Sequence, residues 1–149
     1  MAYEEITKSS IRENLFETFY QVLNANKLGG WTVLASFPEQ NPVFPCLVIN
    51  PAAVSLKSLN IPKSKFRWAA SMLVDVYSLT KDGKEKNDQG MDNVMDTIRT
   101  NLTSGDNISQ YNLTLDKDVP FDDAGASQEV INDTGLNVNS LTINLAVKL

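Results

Sequence analysis

Phe66-Arg67-Trp68-Ala69-Ala70-Ser71-Met72-Leu73-Val74-Asp75-Val76-Tyr77-Ser78-Leu79 alternates over about twice the usual length of a strand. Side chains on a strand point to opposite faces in turn, so Phe66, Trp68, Ala70, Met72, Val74 and Val76 share one face. Arg67, Ser71, Asp75 and Tyr77 mark the other, which Ala69 and Leu73 interrupt. A half-polar second face belongs to an antiparallel sheet, because parallel strands are covered on both sides. A polar turn follows at Asp82-Gly83. The period then becomes helical, with Met91, Val94, Met95, Ile98 and Leu102 on one stripe. Asp88 and Asp92 near its start and Arg99 near its end suit the helix dipole. This helix is expected to begin near Asn87 or Asp88 and to stop at Ser104-Gly105-Asp106-Asn107.

Upstream, Ser10-Ile11-Arg12-Glu13 fits a capping box, in which serine oxygen and glutamate each satisfy an orphan backbone donor. Ile11, Leu15, Phe16, Phe19, Val22 and Leu23 continue as a helical apolar face, and Gly29-Gly30 ends it. Trp31 to Phe37 reads as a strand. Pro38, Pro42 and Pro45 restrict the loop after it, and Cys46-Leu47-Val48-Ile49-Asn50 is a short apolar strand ended by Pro51. Residues 51–66 form either an extended arm or the start of a long hairpin. Downstream, Tyr111 to Leu115 is a short strand and 116–135 an acidic loop containing Pro120. Asn137 to Leu149 is a closing strand with Leu141, Ile143, Leu145, Val147 and Leu149 on one face. The order is α-β-β-β-α-β-β. The expected fold is α+β, a single domain over 1–149. Its mainly antiparallel sheet has about four to five strands, and both amphipathic helices pack on one face. The other face and the edge strands are left for other subunits.

A chain of 149 residues, 42% hydrophobic and 21% charged, has an ordinary soluble composition and the length to bury a real core. No apolar run approaches the roughly 18 residues that span a membrane. Met1-Ala2-Tyr3-Glu4-Glu5 lacks the basic start and apolar stretch of a signal peptide, so the protein is expected to work where it is made. Cys46 is the only cysteine, which excludes an intrachain disulfide and marks it as a small buried hydrophobe. There is no histidine, which removes the commonest general base and metal ligand. The expectation is therefore no enzyme, no cofactor and no metal. The net charge of −5 argues against general affinity for phosphate backbones. That charge is unevenly placed. No acidic residue lies between Glu39 and Asp75, where Lys57, Lys63, Lys65 and Arg67 stand; between Leu115 and Gly135, Asp116, Asp118, Asp122, Asp123, Glu129 and Asp133 face only Lys117.

Other motifs have ordinary explanations. Asp116, Asp118, Asp122 and Asp123 lack the central glycine and terminal glutamate of a calcium loop and read as a solvated loop. Glu85-Lys86 after the long strand has the flavour of a metal-dependent nuclease, without its second carboxylate. Lys63 to Trp68 interleaves basic and aromatic residues as single-strand binders do, yet Phe66 and Trp68 fall on the core face and the lysines suit a sheet edge. Asn101-Leu102-Thr103, Asn107-Ile108-Ser109, Asn112-Leu113-Thr114 and Asn132-Asp133-Thr134 match a glycosylation acceptor through composition alone. Met91 and Met95 read as core contacts.

In its order of elements the chain resembles the tail-terminator (tail-completion) proteins of tailed bacteriophages. Three passages carry the likeness: the helix and strand from Ile11 to Phe37, the proline-led strand Phe44-Pro45-Cys46-Leu47-Val48-Ile49-Asn50, and the strand–turn–helix from Ala70 to Leu102. Within the last, Val74-Asp75-Val76-Tyr77-Ser78 resembles the family's central strand. The likeness covers most of the chain as a pattern rather than as fixed residues. It implies a structural virion protein of the neck, assembled in the host cytoplasm as a homohexameric ring that stops the tail tube at its head-proximal end. Its implied partners are other copies of itself, the tail-tube protein, the head–tail connector or stopper protein and, in contractile tails, the sheath protein. DNA would only pass through the channel, and no membrane is involved.

Rings need two unlike patches that meet head to tail. Basic Lys57, Lys63, Lys65 and Arg67 and acidic Asp116, Asp118, Asp122 and Asp123 are candidates for such a pair, with Leu73 and Tyr77 as interface residues on the uncovered sheet face. The acidic residues would alternatively line the lumen, where they would keep DNA from gripping. Competing readings are a head-completion or connector-adaptor protein of the same neck, a small nucleic-acid binder, and a metal-dependent nuclease.

Overall fold

The first apolar stripe forms α1, Lys8–Ala25, in a computed structural model that describes residues 8–35, 43–49, 55–58, 68–103, 112–116, 118–131 and 133–148. Leu15, Phe19, Val22 and Leu23 bury its inner face. The helix begins two residues before Ser10, which places that serine in the first turn rather than at the cap. Three short strands follow: β1 (Thr32–Leu34), β2 (Cys46–Ile49) and β3 (Ser55–Ser58). The long alternating stretch is β4, Trp68–Leu79. A 3₁₀ turn at Thr80–Asp82 and Gly83, at φ 84°, redirect the chain into α2, Lys84–Thr103. This helix starts three residues before Asn87, the earlier of the two expected starts, because the turn and Gly83 set its origin. Then come β5 (Asn112–Leu115), β6 (Phe121–Ile131) and β7 (Thr134–Lys148).

The chain is α+β, with two helices on one mixed, mostly antiparallel sheet. Five strands lie side by side in the order β1-β2-β4-β7-β5. Only β1 and β2 run parallel among these pairs. β4 and β7 form the spine, paired from Trp68↔Val147 to Leu79↔Leu136. β3 pairs with the start of β4 (Ser58↔Trp68), and β6 pairs with most of β7 (Phe121↔Ile143 to Ile131↔Thr134).

The core lies on the face predicted by alternation. Ala70, Met72, Val74 and Val76 of β4 and Leu141, Ile143 and Leu145 of β7 meet Leu15, Phe19 and Leu23 of α1 and Met91, Val94 and Ile98 of α2. Each fully buried side chain of this size contributes about 1.5–3 kcal/mol through lost water contact. Trp31 wedges under α2 where Gly90 faces it. Any larger residue at Gly90 would meet the indole and Val76.

At the first turn of α2 the core becomes polar. Asn87 is buried and donates to the Val76 carbonyl (3.2 Å) and to Asn139 Oδ1 (2.8 Å). Asn137, also buried, donates to the Gly83 carbonyl (3.4 Å). These bonds tie the helix start to both spine strands. Asn87 Oδ1 and the buried Ser78 hydroxyl have no partner among the described residues.

Two expectations need correction. Residues 116–135 are not a loop: Phe121–Ile131 is the strand β6, in a hairpin with β7. Alternation failed to reveal it because residues 122–130 are exposed on both faces, so neither face needs to be apolar. Only Asp116 to Pro120 turns as expected, with the Asp116 carboxylate accepting from the Asp118 and Val119 amides (both 2.9 Å). The extended arm proposed for 51–66 is, at Ser55–Ser58, the first strand of the hairpin alternative; the rest of it lies outside the described residues.

Candidate interaction surfaces

The sheet face opposite the helices carries the other half of each spine strand. Ala69, Ser71, Leu73, Asp75, Tyr77 and Leu79 are all half-buried there, alternating with the buried set. Cross-strand partners pair chemically. Ser71 donates to Asn144 Oδ1 (2.8 Å), and Ser140 donates to Asp75 Oδ1 (2.7 Å). Asn144 also donates to the Val119 carbonyl (2.9 Å), which ties the turn before β6 to the spine. Leu73 lies opposite Thr142, and Tyr77 is flanked by Cys46 and Val138. The structure thus puts Leu73 and Tyr77 where alternation predicted, on the face without the helical core. Burial first, then the charges of Asp75, Glu129 and Cys46, pushes the Tyr77 hydroxyl up to about 12. Burial alone pushes the Cys46 thiol up to about 12, so this free cysteine is an inert hydrophobe.

Lys57 and the acidic residues of β6 lie at opposite edges of the sheet. Lys57 stands in β3, opposite Ala69 of β4. Lys63, Lys65 and Arg67 lie outside the described residues. In sequence they fall between Ser58 of β3 and Trp68 of β4, which pair with each other. Asp122, Asp123 and Glu129 are on β6, beyond β7 on the other side. Three strand spacings, about 14 Å, separate the two edges. Asp118, Asp122 and Asp123 are exposed. Asp116 is exposed too, and the Val119 and Asp118 amides hold its carboxyl below the usual range.

β6 is an edge strand defended over part of its length. The pairing slips between Asp123 and Ala126, where Gly125 adopts φ 97° and donates to Asp123 Oδ1 (2.9 Å). Bulges and charges of this kind keep sheet edges from pairing at random. Past the bulge the charge thins out, and Val130 stands 75% exposed.

A groove between α2 and β6 was not foreseen. Its volume is about 410 Å³, and Asp88, Met91, Asp92, Met95, Phe121, Asp123 and Leu141 line it. Leu141 and Met91 are buried at its floor; Met95 and Phe121 are half-buried walls. Arg99 stacks over the Phe121 ring at 4.9 Å and pairs with Asp96 at 3.9 Å. Asp88 and Asp92, one helical turn apart, form one rim and Asp123 the other. The three carboxylates form no ion pair among the described residues, nor do any acidic residues and cysteines there cluster to hold a metal ion. The sequence did carry a signal: Met91 and Met95 repeat at the same four-residue interval as Asp88 and Asp92. What it lacked was the register Asp123↔Leu141, which carries the third carboxylate to the site.

No protein-family model matches the chain, and no curated protein matches it. Solved structures do match. One of them, whose name describes no function, is similar over 97% of each chain, with a TM-score of 0.56 at 11% identity. At that identity the likeness concerns the fold alone. No described helix is long and apolar enough to cross a membrane.

Proposed function

We propose that this chain is a ring-forming tail terminator of a tailed bacteriophage, capping the head-proximal end of the tail tube and joining it to the head connector. The observation that carries the reading is the placement of charge. Lys57 of β3, within the basic segment, and the acidic strand β6 belong to opposite edges of one sheet. A single copy cannot bring them together without breaking the spine between them. Neighbouring copies can, and repeated head-to-tail contact of unlike patches closes a ring. The half-buried face with Leu73 and Tyr77 adds a second sheet surface that the two helices do not cover. Six copies per ring, and a tail tube and connector as partners, follow from the resemblance to the family.

The test is assembly. Native mass spectrometry of the purified chain should give one closed oligomer, and negative-stain images should show rings. Added to polymerising tail-tube protein, the rings should sit at tube ends and limit tube length. Reversing Lys63, Lys65 and Arg67 to glutamate should shift the oligomer toward monomer. A chain that stays monomeric across the micromolar range, or rings that ignore tube ends, would overturn the reading. Rings that bind emptied heads but not tubes would instead make the protein a head-completion or connector adaptor.

A further inference from the structure

We propose that the groove between α2 and β6 is the seat for residues 59–67 of a neighbouring copy, an inference that rests on the ring reading and gives its contact an address. The groove asks for an occupant that is basic at its margins and apolar toward its floor. Asp88, Asp92 and Asp123 rim it without an ion pair among the described residues, above Met91, Met95, Phe121 and Leu141. Like charges one helical turn apart destabilise an isolated helix, so Asp88 and Asp92 are not there to stabilise α2 by mutual contact.

The matching segment is in the same chain. Residues 59–67 read Leu-Asn-Ile-Pro-Lys-Ser-Lys-Phe-Arg, with no acidic residue for nineteen positions before it or seven after. In an extended backbone Lys63, Lys65 and Arg67 project to one side and Phe66 to the other. Phe66 directed at the methionine floor leaves the three cations facing the rims, their aliphatic stems along the walls. The cations span about 13 Å at strand spacing. Asp88 and Asp92 are about 6 Å apart at helical rise, so two cations reach one rim and the third is left for Asp123.

The chain's own copy of this segment cannot do this. The groove floor at Leu141 pairs with Val74, six residues along β4 from Trp68, which is about 20 Å. Phe66 is two residues from Trp68 and so stays within about 7 Å of it. Even the near wall, Phe121, pairs with Ile143 opposite Met72, about 13 Å along the strand from Trp68. The occupant is therefore a second copy, and the polarity of the contact is set: β3–β4 end of one subunit into the α2–β6 side of the next.

Two experiments on the full chain test this. In the first, Met95→Cys and Lys65→Cys variants are purified separately, mixed and oxidised; Cys46 is buried and stays silent. A disulfide-linked pair should form several-fold above either variant alone and above a control mixture of Val130→Cys with Lys65→Cys. An intramolecular disulfide in the doubly substituted chain, with no cross-copy product in the mixture, overturns the proposal. In the second, Asp92→Lys with Asp123→Lys should raise the concentration needed for assembly about tenfold or more, as should Lys63→Glu with Lys65→Glu. Combining all four substitutions in one chain should restore assembly, an outcome that a folding defect cannot imitate. Failure of restoration overturns the proposal. Wild-type rings that form normally, with no cross-copy disulfide and no response to Asp92→Lys and Asp123→Lys, overturn the groove contact while leaving the ring reading intact. A wild-type chain that never assembles overturns both.

Discussion

Gly90→Ala sets two quantifiable effects against each other. Alanine is the better helix former, so the exchange in a helix interior is worth up to about 1 kcal/mol in favour of the variant. Against it stands the space above Gly90. The new methyl would overlap Cη2 of Trp31 and lie 2.8 Å from Cζ3 and 3.0 Å from Cγ1 of Val76. Carbon pairs rest at about 3.5–4.0 Å, so the ring edge must retreat by about 1 Å. Trp31 is a rigid ring, 5% exposed, set in the same cluster as Val33, Val76 and Met91. Overpacking such a site costs about 1–3 kcal/mol, and two contacts on an immobile ring put this case at the upper end. The net expectation is a loss of about 2 kcal/mol. For a chain of this length that lowers the melting temperature by roughly 4–8 °C. Urea unfolding followed by circular dichroism, at fixed subunit concentration because assembly adds to stability, should show a lower midpoint with an unchanged slope. Phenylalanine lacks the outer edge of the indole. In a Trp31→Phe background, Gly90→Ala should therefore be neutral or stabilising, a coupling of about 2–3 kcal/mol. If Gly90→Ala alone is as stable as the parent, the close approach of α2 to Trp31 and Val76 is wrong, and with it the position of the groove rim that α2 carries.

Two further predictions follow from buried polar groups. Asn87→Leu removes two donated bonds, one to the Val76 carbonyl and one to the buried Asn139 Oδ1; it should destabilise by about 1–3 kcal/mol in the same urea assay. Stability unchanged by this substitution would mean that the polar contacts do not anchor the helix start. Alkaline pH should also weaken the fold. Cys46 and Tyr77 are pushed up to about 12 in the folded chain, against ordinary values of 9.0 and 10.0. The folded state thus holds those protons more tightly, and its advantage is complete below about pH 9 and fades as pH rises toward 12. Midpoints measured from pH 8 to 11 should fall, and Tyr77→Phe should remove part of that slope.

The long strand and second helix were legible because both of their covering faces belong to the same chain. Met72, Val74 and Val76 alternate since α2 and α1 cover them, and Met91, Val94 and Ile98 recur since the sheet covers them. β7 was legible for the same reason. β3, Ser-Leu-Lys-Ser, is too short and too polar to show a period. β6 is the instructive failure. Apart from Phe121, which packs on the core, its residues are held by the backbone of β7, so the exposed side chains at 122–130 were free of any demand from this domain's core. A reading of hydrophobic period finds only elements whose partner is on the same chain.

That limit also indicates where other demands on the sequence act. β6 uses its freedom unevenly, with Asp122, Asp123 and the Gly125 bulge in one half and the exposed Val130 in the other. Solubility alone would call for charge along the whole edge. Concentrating the carboxylates beside Phe121, across from Asp88 and Asp92, leaves an apolar floor open to an occupant and makes its margin selective for cations. The acid-free run from residue 40 to residue 74 is the complementary irregularity, and its Lys57 stands in β3 at the other edge of the sheet. Each asymmetry is unexplained by the packing of one copy. Together they have one economical account, contact between copies, and the four-substitution charge exchange is the measurement that separates that account from coincidence.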